Sequence, residues 1–559
     1  MKKFLTIITV LLILFIQLPS FAQAPDTVVV PNIDYPNPGV FKDCLTNFIL
    51  GDTTASGERN NINRVYRLQR GERYFQTGYL YAEDFPLNLI AEDDPDPDNP
   101  VAPPVIAPFP LDDGSIPRIT LYVYQGAYLK NLYLQGVAPT GQRNSSDRPV
   151  AVYGENTRFT MKNCIVEGFR TAGVFNGGLH NSFFFVDNEW RNNNWSGVFS
   201  GQFFYNTGTG DIPMDTVWIV NNTFFCGSSY FMCTNRQYIK YVRFEHNTLF
   251  INHTNPFYSP YLSDADIKNN IFFSPASCGE TPAEREQGYY DWDGQRLSVL
   301  SIDTMFTDLA NKYGVTEAGR RIDYSNNAYF WPQSVLDMLA NKNVDPPVWM
   351  NDRTSNFFHN DTDYPDITDN NNVEADPGFN QDVLTMVDTL VNYIDVFRTL
   401  GSAHAYFYNP TGDDIFPCRW PVPEDLSYSN SALLTAADGG FPLGDLNWFP
   451  EEKQRWIDWI TDVDEESGNT IPASYTLEQN YPNPFNPSTV IKFQLPKASK
   501  VSLKIYDVLG EEVAILINSE MNAGEHQVDF NASSLSSGIY LYRLETENYS
   551  SAKKMILLK

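Results

Sequence analysis

The chain has 559 residues, 42% hydrophobic and 14% aromatic, enough apolar material for a large core and for more than one domain. Its formal charge of −29 argues against nucleic acid or anionic membranes as partners. It would also repel a polyanionic glycan unless a basic patch or Ca²⁺ intervened. Beyond the N-terminal segment no apolar run is long enough to span a membrane.

Residues 1–22, MKKFLTIITVLLILFIQLPSFA, place two lysines before an apolar run and small residues, the pattern of a secretory signal peptide cut near Ala22 or Ala24. Loss of Lys2 and Lys3 with it takes the mature charge to about −31. Phe41–Pro110 reads as opening strands. RVYRLQRGERYF at Arg64–Phe75 alternates, with Gly71 as a turn, whereas EDDPDPDNP at Glu92–Pro100 cannot continue a strand. That loop is either a solvated insertion, the weightier reading, or a Ca²⁺ site. LYVYQGAYLKNLYLQG at Leu121–Gly136 supplies two more strands.

A short phrase then recurs: FTMKNCIV at Phe159–Val166, FFVDNEWR at Phe184–Arg191, WIVNNTFF at Trp218–Phe225, RFEHNTLF at Arg243–Phe250 and DIKNNIFF at Asp266–Phe273. A later copy, DYSNNAYF, lies at Asp323–Phe330. Anchored on Asn163, Asn188, Asn222, Asn247, Asn270 and Asn327, the copies are 25, 34, 25, 23 and 57 residues apart, the spacing of stacked repeats. Positions five and three before the anchor and two after it are mostly apolar, as in strands with one buried face. The β-branched and aromatic content excludes helix pairs and leaves a parallel β-helix. At each corner an Asn tolerates a left-handed backbone, and its amide can donate to one neighbour and accept from the other, so the six anchors are expected to form an internal ladder.

These repeats resemble the right-handed parallel β-helix proteins of the pectate-lyase-like superfamily over roughly residues 40–380. The fold expected is all-β: a right-handed parallel β-helix over 25–380, then a small C-terminal β-sandwich. That solenoid hosts lyases, hydrolases, esterases and adhesins, so it does not specify chemistry.

Two and four residues before each anchor, the expected outward face reads Phe159/Met161, Phe184/Val186, Trp218/Val220, Arg243/Glu245, Asp266/Lys268 and Asp323/Ser325. It changes from apolar to charged at Arg243. The apolar half is either covered by a loop, the weightier reading, or a platform for sugar rings with Phe184 and Trp218 as candidates. The resemblance implies that a lyase of this fold uses a cation or Ca²⁺ against a uronate carboxylate and a Lys or Arg as base. Lys268 or Arg243 is then the candidate base, His246 a further acid or base, and Glu245 with Asp266 the candidate Ca²⁺ ligands. The weightier reading is structural: Arg243 facing Asp266 and Glu245 facing Lys268 across neighbouring strands would fix register. A hydrolase would need clustered carboxylates, and Asp266 and Asp323 are separated by an insertion.

The insertion, between Ser274 and Arg321, is expected to hold a loop and an amphipathic helix. Its Tyr289, Tyr290 and Trp292 are sugar-stacking candidates or core of the insertion. Asn351–Asn372 is rich in Asp and Asn but lacks the glycine and terminal Glu of an EF-hand loop. EADPGF at Glu374–Phe379 resembles the phrase that closes the last coils of β-helix proteins. Residues 381–464 are less regular. Leu426–Pro450 resembles a segment near the end of secreted β-helix proteins of Bacteroidota-like bacteria, and its GDLNW core has no mechanism in the sequence alone. EEKQRWIDWITDV puts Trp456, Ile457, Trp459 and Ile460 largely on one side of a short helix, expected to cap the open end of the solenoid.

After a polar linker at 465–475, residues 476–559 alternate in runs broken by Gly, Pro and Asn, about seven strands of a small Ig- or fibronectin-like sandwich. The stretch closely resembles the type A C-terminal sorting domain of the type IX secretion system. The likeness runs through Asn480–Thr489, Lys504–Gly510, Gly524, Ser537–Tyr542 and the basic end Lys553–Lys559. It implies recognition by the outer-membrane translocon and sorting machinery, delivery to the outer cell surface, and usually removal of the domain. Of six cysteines, Cys226 and Cys233 are near enough in sequence to close one loop. Cys44, Cys164, Cys278 and Cys418 have no spacing argument, and the lack of CxxC supports neither a zinc nor a redox motif. The function expected is a secreted surface protein that acts on or binds polysaccharide, a lyase before a hydrolase if an enzyme. The alternative is a non-catalytic adhesion or structural module.

Overall fold

The computed structural model describes residues 26–558 apart from 32–35, 38–39, 97–98, 145–147, 171, 195, 197–198, 200, 207–210, 235, 291–293, 409–419, 467–475, 478, 481–482, 484, 496–498, 508–511, 522–523, 534 and 547–548. The leader at 1–22, Trp292, Cys418 and the linker from 467 onward therefore lie outside the described residues.

The larger unit, up to Trp456, is a parallel β-helix. Its first sheet has 11 strands, from Thr27–Val29 to Asp366–Asn370; its second has ten, from Arg73–Gln76 to Val373–Glu374; its third has seven, from Leu80–Ala82 to Phe257–Tyr258. Within each sheet neighbouring strands run parallel, and one coil takes a strand from each in turn: Ile239–Glu245, Thr248–Asn252 and Phe257–Tyr258, then back to the first sheet at Asp264–Lys268. Alternation explains why these segments are strands. In the first sheet Phe159, Met161, Phe183, Phe185, Val217, Ile219, Val242, Phe244 and Ile267 all point into one continuous buried core.

The corner between the first and second sheets carries the ladder. Asn188, Asn222, Asn247, Asn270, Asn327 and Asn372 follow one another, each Nδ2 donating to the next Oδ1 at 2.9–3.1 Å. Each backbone N–H in the row donates to the same next Oδ1 at 2.8–3.1 Å. The second amide hydrogen goes back to the preceding coil, as from Asn247 to the Ile219 carbonyl at 2.8 Å. Asn163 does not belong to this row. Its coil places Cys164 there, whose N–H donates to Asn188 Oδ1 at 2.9 Å, while Asn163 donates to Asn131 at 2.7 Å. The left-handed residue is the one before the ladder: Asn131, Asn163, Asp187, Asn221, His246, Asn269, Asn326 and Asn371 have φ between 50° and 61°. Left-handed backbone and amide ladder thus fall to consecutive residues, not to one, and Asn372 joins as a member not identified from sequence.

The same shift corrects the outward face of the first repeat copy, since Phe159 and Met161 lie fully buried inside. The solenoid ends are closed by helices Cys44–Leu50, through Leu45 and Ile49, and Asp352–Phe358, through Phe357 and Phe358; these four side chains join the central core. The helix expected as the cap, Pro450–Glu466, instead sets its first turns, up to Trp456, against the flank of the middle coils. Trp456 meets His246 edge-on at 5.2 Å, and Lys453 pairs with Asp187 at 2.8 Å. Trp456 and Ile460 are buried but Trp459 is 36% exposed, so the apolar side is narrower than expected. Among the described residues of the insertion only Pro282–Glu286 and Thr307–Tyr313 are α-helical, and Ser298–Leu300 pairs as a strand with Val348–Met350. Cys164, Cys226 and Cys278 are buried free thiols, so the loop expected between Cys226 and Cys233 is not closed.

The C-terminal unit is built from antiparallel strands. Thr476–Leu477, Ser488–Leu495 and Gly524–Asn531 form one antiparallel sheet; Glu512–Met521, Ser499–Tyr506, Gly538–Thr546 and Tyr549–Leu557 form a second. Ile491, Phe493 and Leu495 of one share a core with Leu503, Ile505, Tyr542 and Leu544 of the other.

Because Asn247 serves three coils, Asn247→Ala should strand buried groups on both sides and cost about 2–4 kcal/mol in denaturant unfolding. Asn163→Ala should cost about 1 kcal/mol or less. Equal losses for the two variants would contradict the register above.

Candidate functional site

Strand pairing sets the outward rows of the first sheet. One row is Tyr128, Thr160, Phe184, Trp218, Arg243, Asp266, Asp323 and Thr368; the next is Lys130, Lys162, Val186, Val220, Glu245, Lys268, Ser325 and Asn370. Arg243 stands beside Asp266 and Glu245 beside Lys268, but their closest partners lie elsewhere. The Arg243 guanidinium binds Glu245 on its own strand, with Nε to Oε2 at 2.6 Å. Asp266 accepts from Arg321 Nη1 at 2.7 Å and from the Tyr241 hydroxyl at 2.6 Å. Lys268 pairs with Asp438 at 3.0 Å.

These contacts decide the protonation states. Burial alone would raise Glu245, yet Arg243 and Lys268 beside it pull its carboxyl down to about 2. Burial would lower Lys268, yet Glu245 and Asp438 hold it above its ordinary value, so it keeps its proton and cannot accept one. Burial pushes His246 down to about 4. It is neutral, with Nδ1 donating to the Gly444 carbonyl at 3.2 Å. The candidate Ca²⁺ ligands Glu245 and Asp266 turn their oxygens to guanidinium and phenol groups, and the described residues hold no group of three or more His, Cys, Asp or Glu placed for a metal ion.

Phe184 and Trp218 are 8% and 6% exposed. They meet edge-to-face at 5.1 Å, with Arg158 4.0 Å over the Phe184 ring, so neither offers a free face to a sugar. Tyr289 is 45% exposed and rests on Phe199 at 5.0 Å, while Tyr290 is buried.

Polar contacts to the solenoid corner also explain GDLNW. Gly444 has φ 77°, and a Cβ there would lie 2.5 Å from Thr248 Oγ1. Asp445 N–H donates to Thr248 Oγ1 at 2.9 Å, and the Thr223 hydroxyl donates to the Asp445 carboxyl. Leu446 N–H donates to Asn221 Oδ1 at 2.6 Å, Asn447 Nδ2 to the Asn221 carbonyl at 3.1 Å, and Trp448 Nε1 to Thr223 Oγ1 at 2.9 Å. The segment is a clasp over the corner. Further back along the chain, Glu424 takes Arg191 in a two-point pair at 2.5 and 2.7 Å, and Arg191 also reaches Glu167; all three are buried. Burial and the neighbouring Glu424 push Glu189 well above the carboxylate range. Motif reasoning missed this lock because its partners are 233 residues apart.

The third sheet is different. Tyr81, Tyr122, Ala151, Phe175 and Tyr205 occupy one outward row, and Tyr153 lies against it. Tyr81 and Tyr122 stack at 4.7 Å and 12°, and Tyr122 and Tyr153 at 6.0 Å and 17°, while Phe175 and Tyr205 are tilted by 30° at 6.0 Å. Tyr81 and Tyr153 are each 39% exposed. Arg148 lies 4.6 Å over Phe175. At Gly177 a Cβ would fall 2.6 Å from the Tyr153 ring, so glycine makes room for it. Further on, Cys233 and Tyr258 of the same row are buried, which ends the open stretch after five strands, about 19 Å. The signal was legible as a second phrase: YLYA at Tyr79–Ala82, LYVY at Leu121–Tyr124, VAVYG at Val150–Gly154 and FFYN at Phe203–Asn206.

In the C-terminal unit Asn480, buried, donates its N–H to the Tyr542 hydroxyl at 2.7 Å and its amide to Thr489 at 3.0 Å, tying the ends of the NYPNPFNPST stretch together. Residues 479–558 match the secretion system C-terminal sorting domain. The protein is secreted to the cell surface by the type IX system. No curated protein and no solved structure matches the chain. The described residues hold no helix long and apolar enough to cross a membrane. The sorting domain thus assigns a destination, and the 26–456 solenoid is the cargo.

Burial raises the Asp445 carboxyl to about 7. An unfolded Asp titrates near 4, so the protonated group contributes fully below about pH 4, and this contribution is lost as pH rises through about 7. Replacing it by the isosteric amide in Asp445→Asn should remove a pH-dependent loss on the order of 2–4 kcal/mol, read from urea unfolding at pH 4 and pH 8. An unchanged pH slope in the variant would refute the assignment.

Proposed function

We propose that this protein is a non-catalytic cell-surface module that binds a neutral glycan along the exposed aromatic row of the third sheet. The carrying observation is that row: partly exposed rings of Tyr81, Tyr122, Tyr153, Phe175 and Tyr205 on a rigid sheet, where exposed apolar surface marks a binding site. Its strands are about 4.8 Å apart, close to the advance of one sugar residue in an extended chain. Tyr81 and Tyr153, each 39% exposed, leave ring surface and hydroxyls for the C–H groups and hydroxyls of a sugar to meet. A charge of −29 disfavours polyanionic chains. A lyase reading has less support, because Lys268 stays protonated and is already paired with Asp438.

The test incubates the full chain with neutral and acidic polysaccharides, with and without EDTA, following retention, ultraviolet absorbance and reducing ends. Retention on a neutral glycan without cleavage is expected. Tyr81→Ala combined with Tyr153→Ala should weaken it by about tenfold, from roughly 0.5–1.5 kcal/mol per ring. Cleavage abolished by Lys268→Met would overturn the proposal in favour of a lyase. Retention indifferent to both tyrosines would move the binding surface elsewhere.

A further inference from the structure

Buried polar atoms are almost always paired, because an unpaired one loses its water and gains nothing. One corner of the solenoid, where the chain leaves the second sheet for the third, departs from this. Trp190 Nε1, Ser229 Oγ and Asn252 Oδ1 are buried and have no hydrogen-bond partner among the described residues. The residues are 3%, 2% and 5% exposed. They come from three successive coils, with second-sheet strands Glu189–Arg191, Thr223–Gly227 and Thr248–Asn252. All three line one cavity of about 30 Å³, whose other walls include Phe203 and Phe224.

We propose that this cavity is a built hydration site holding an ordered water that bridges the three coils. Its volume is enough for one water but too small for a sugar or a nucleotide. Trp190 Nε1 can only donate, Asn252 Oδ1 can only accept and Ser229 Oγ can do either, which together satisfy a water's lone pair and both its hydrogens. No carboxylate lines the cavity, so a cation has no counter-charge. An apolar guest would leave all three atoms unpaired. The aromatic walls hold the site open: Trp190 packs edge-on against Phe203 at 4.1 Å, and Phe203 against Phe224 at 4.8 Å. At this corner the solvent molecule adds to the direct bond from the Asn252 amide to the Ser229 carbonyl, joining coil to coil as the Asn ladder does at the other.

Crystals of the full chain, examined with and without pressurised xenon, test this directly. The expected result is a density peak within about 3.2 Å of all three atoms that persists under xenon. Xenon filling the cavity, or an empty cavity, would overturn the proposal, since dry apolar cavities take up xenon. Solution stability gives an independent sign. If the water is present, Ser229→Ala removes one of its partners and lowers the urea midpoint; if the cavity is dry, the same change relieves an orphaned hydroxyl and raises it. Trp190→Phe should shift the midpoint in the same direction as Ser229→Ala, and a rise in either variant counts against the bound water.

Discussion

A solenoid coil must turn out of one strand into the next without leaving buried amides unpaired, and here one two-residue corner does so repeatedly. A left-handed residue bends the chain, and the following Asn accepts from the coil before and donates to the coil after. Such a corner tolerates no slip, since moving a strand by one residue exchanges its inner and outer faces. Everything else in the larger unit is placed relative to that register: the aromatic core, the outward rows and the points at which the C-terminal clasp can attach.

The outward faces meet different fates for reasons of chemistry. The corner beside the ladder offers backbone and side-chain groups on Asn221, Thr223 and Thr248, and the clasp uses them through Asp445, Leu446, Asn447 and Trp448. Charged residues near this clasp are therefore buried in pairs, and burial makes pairing obligatory. The Arg191 cluster extends the same logic to the second sheet. The weight of such buried pairs lies in fixing which segment docks where, more than in net stability. The early coils of the third sheet receive no such cover, and their outward row is aromatic where the middle of the first sheet is charged.

Asn188, Asn222, Asn247, Asn270 and Asn327 were legible as a row because each sits in a phrase with the same apolar spacing. Asn163 was misplaced because its copy, KNC, has one Asn where most of the others have two polar residues together, so aligning letters slipped the register by one. Arg243, Asp266, Glu245 and Lys268 were correctly put on neighbouring strands. Their partners were not, because Asp438 lies far along the chain and Arg321 lies beyond the insertion. The third-sheet row escaped notice because its phrases, YLYA, LYVY, VAVYG and FFYN, share no fixed anchor residue such as the ladder Asn.

The sequence by itself determined the repeated coil, the alternation that makes its strands and the sorting domain at its end. These are local matters, carried by spacing, turn residues and short motifs, and each can be read within one repeat or one domain. Only the tertiary structure decided which outward face is open, which helix closes an end and which lies along a flank, and whether Lys268 and His246 hold protons. Those outcomes depend on contacts between segments up to 233 residues apart, and the burial that sets a pKa exists only once the clasp has docked.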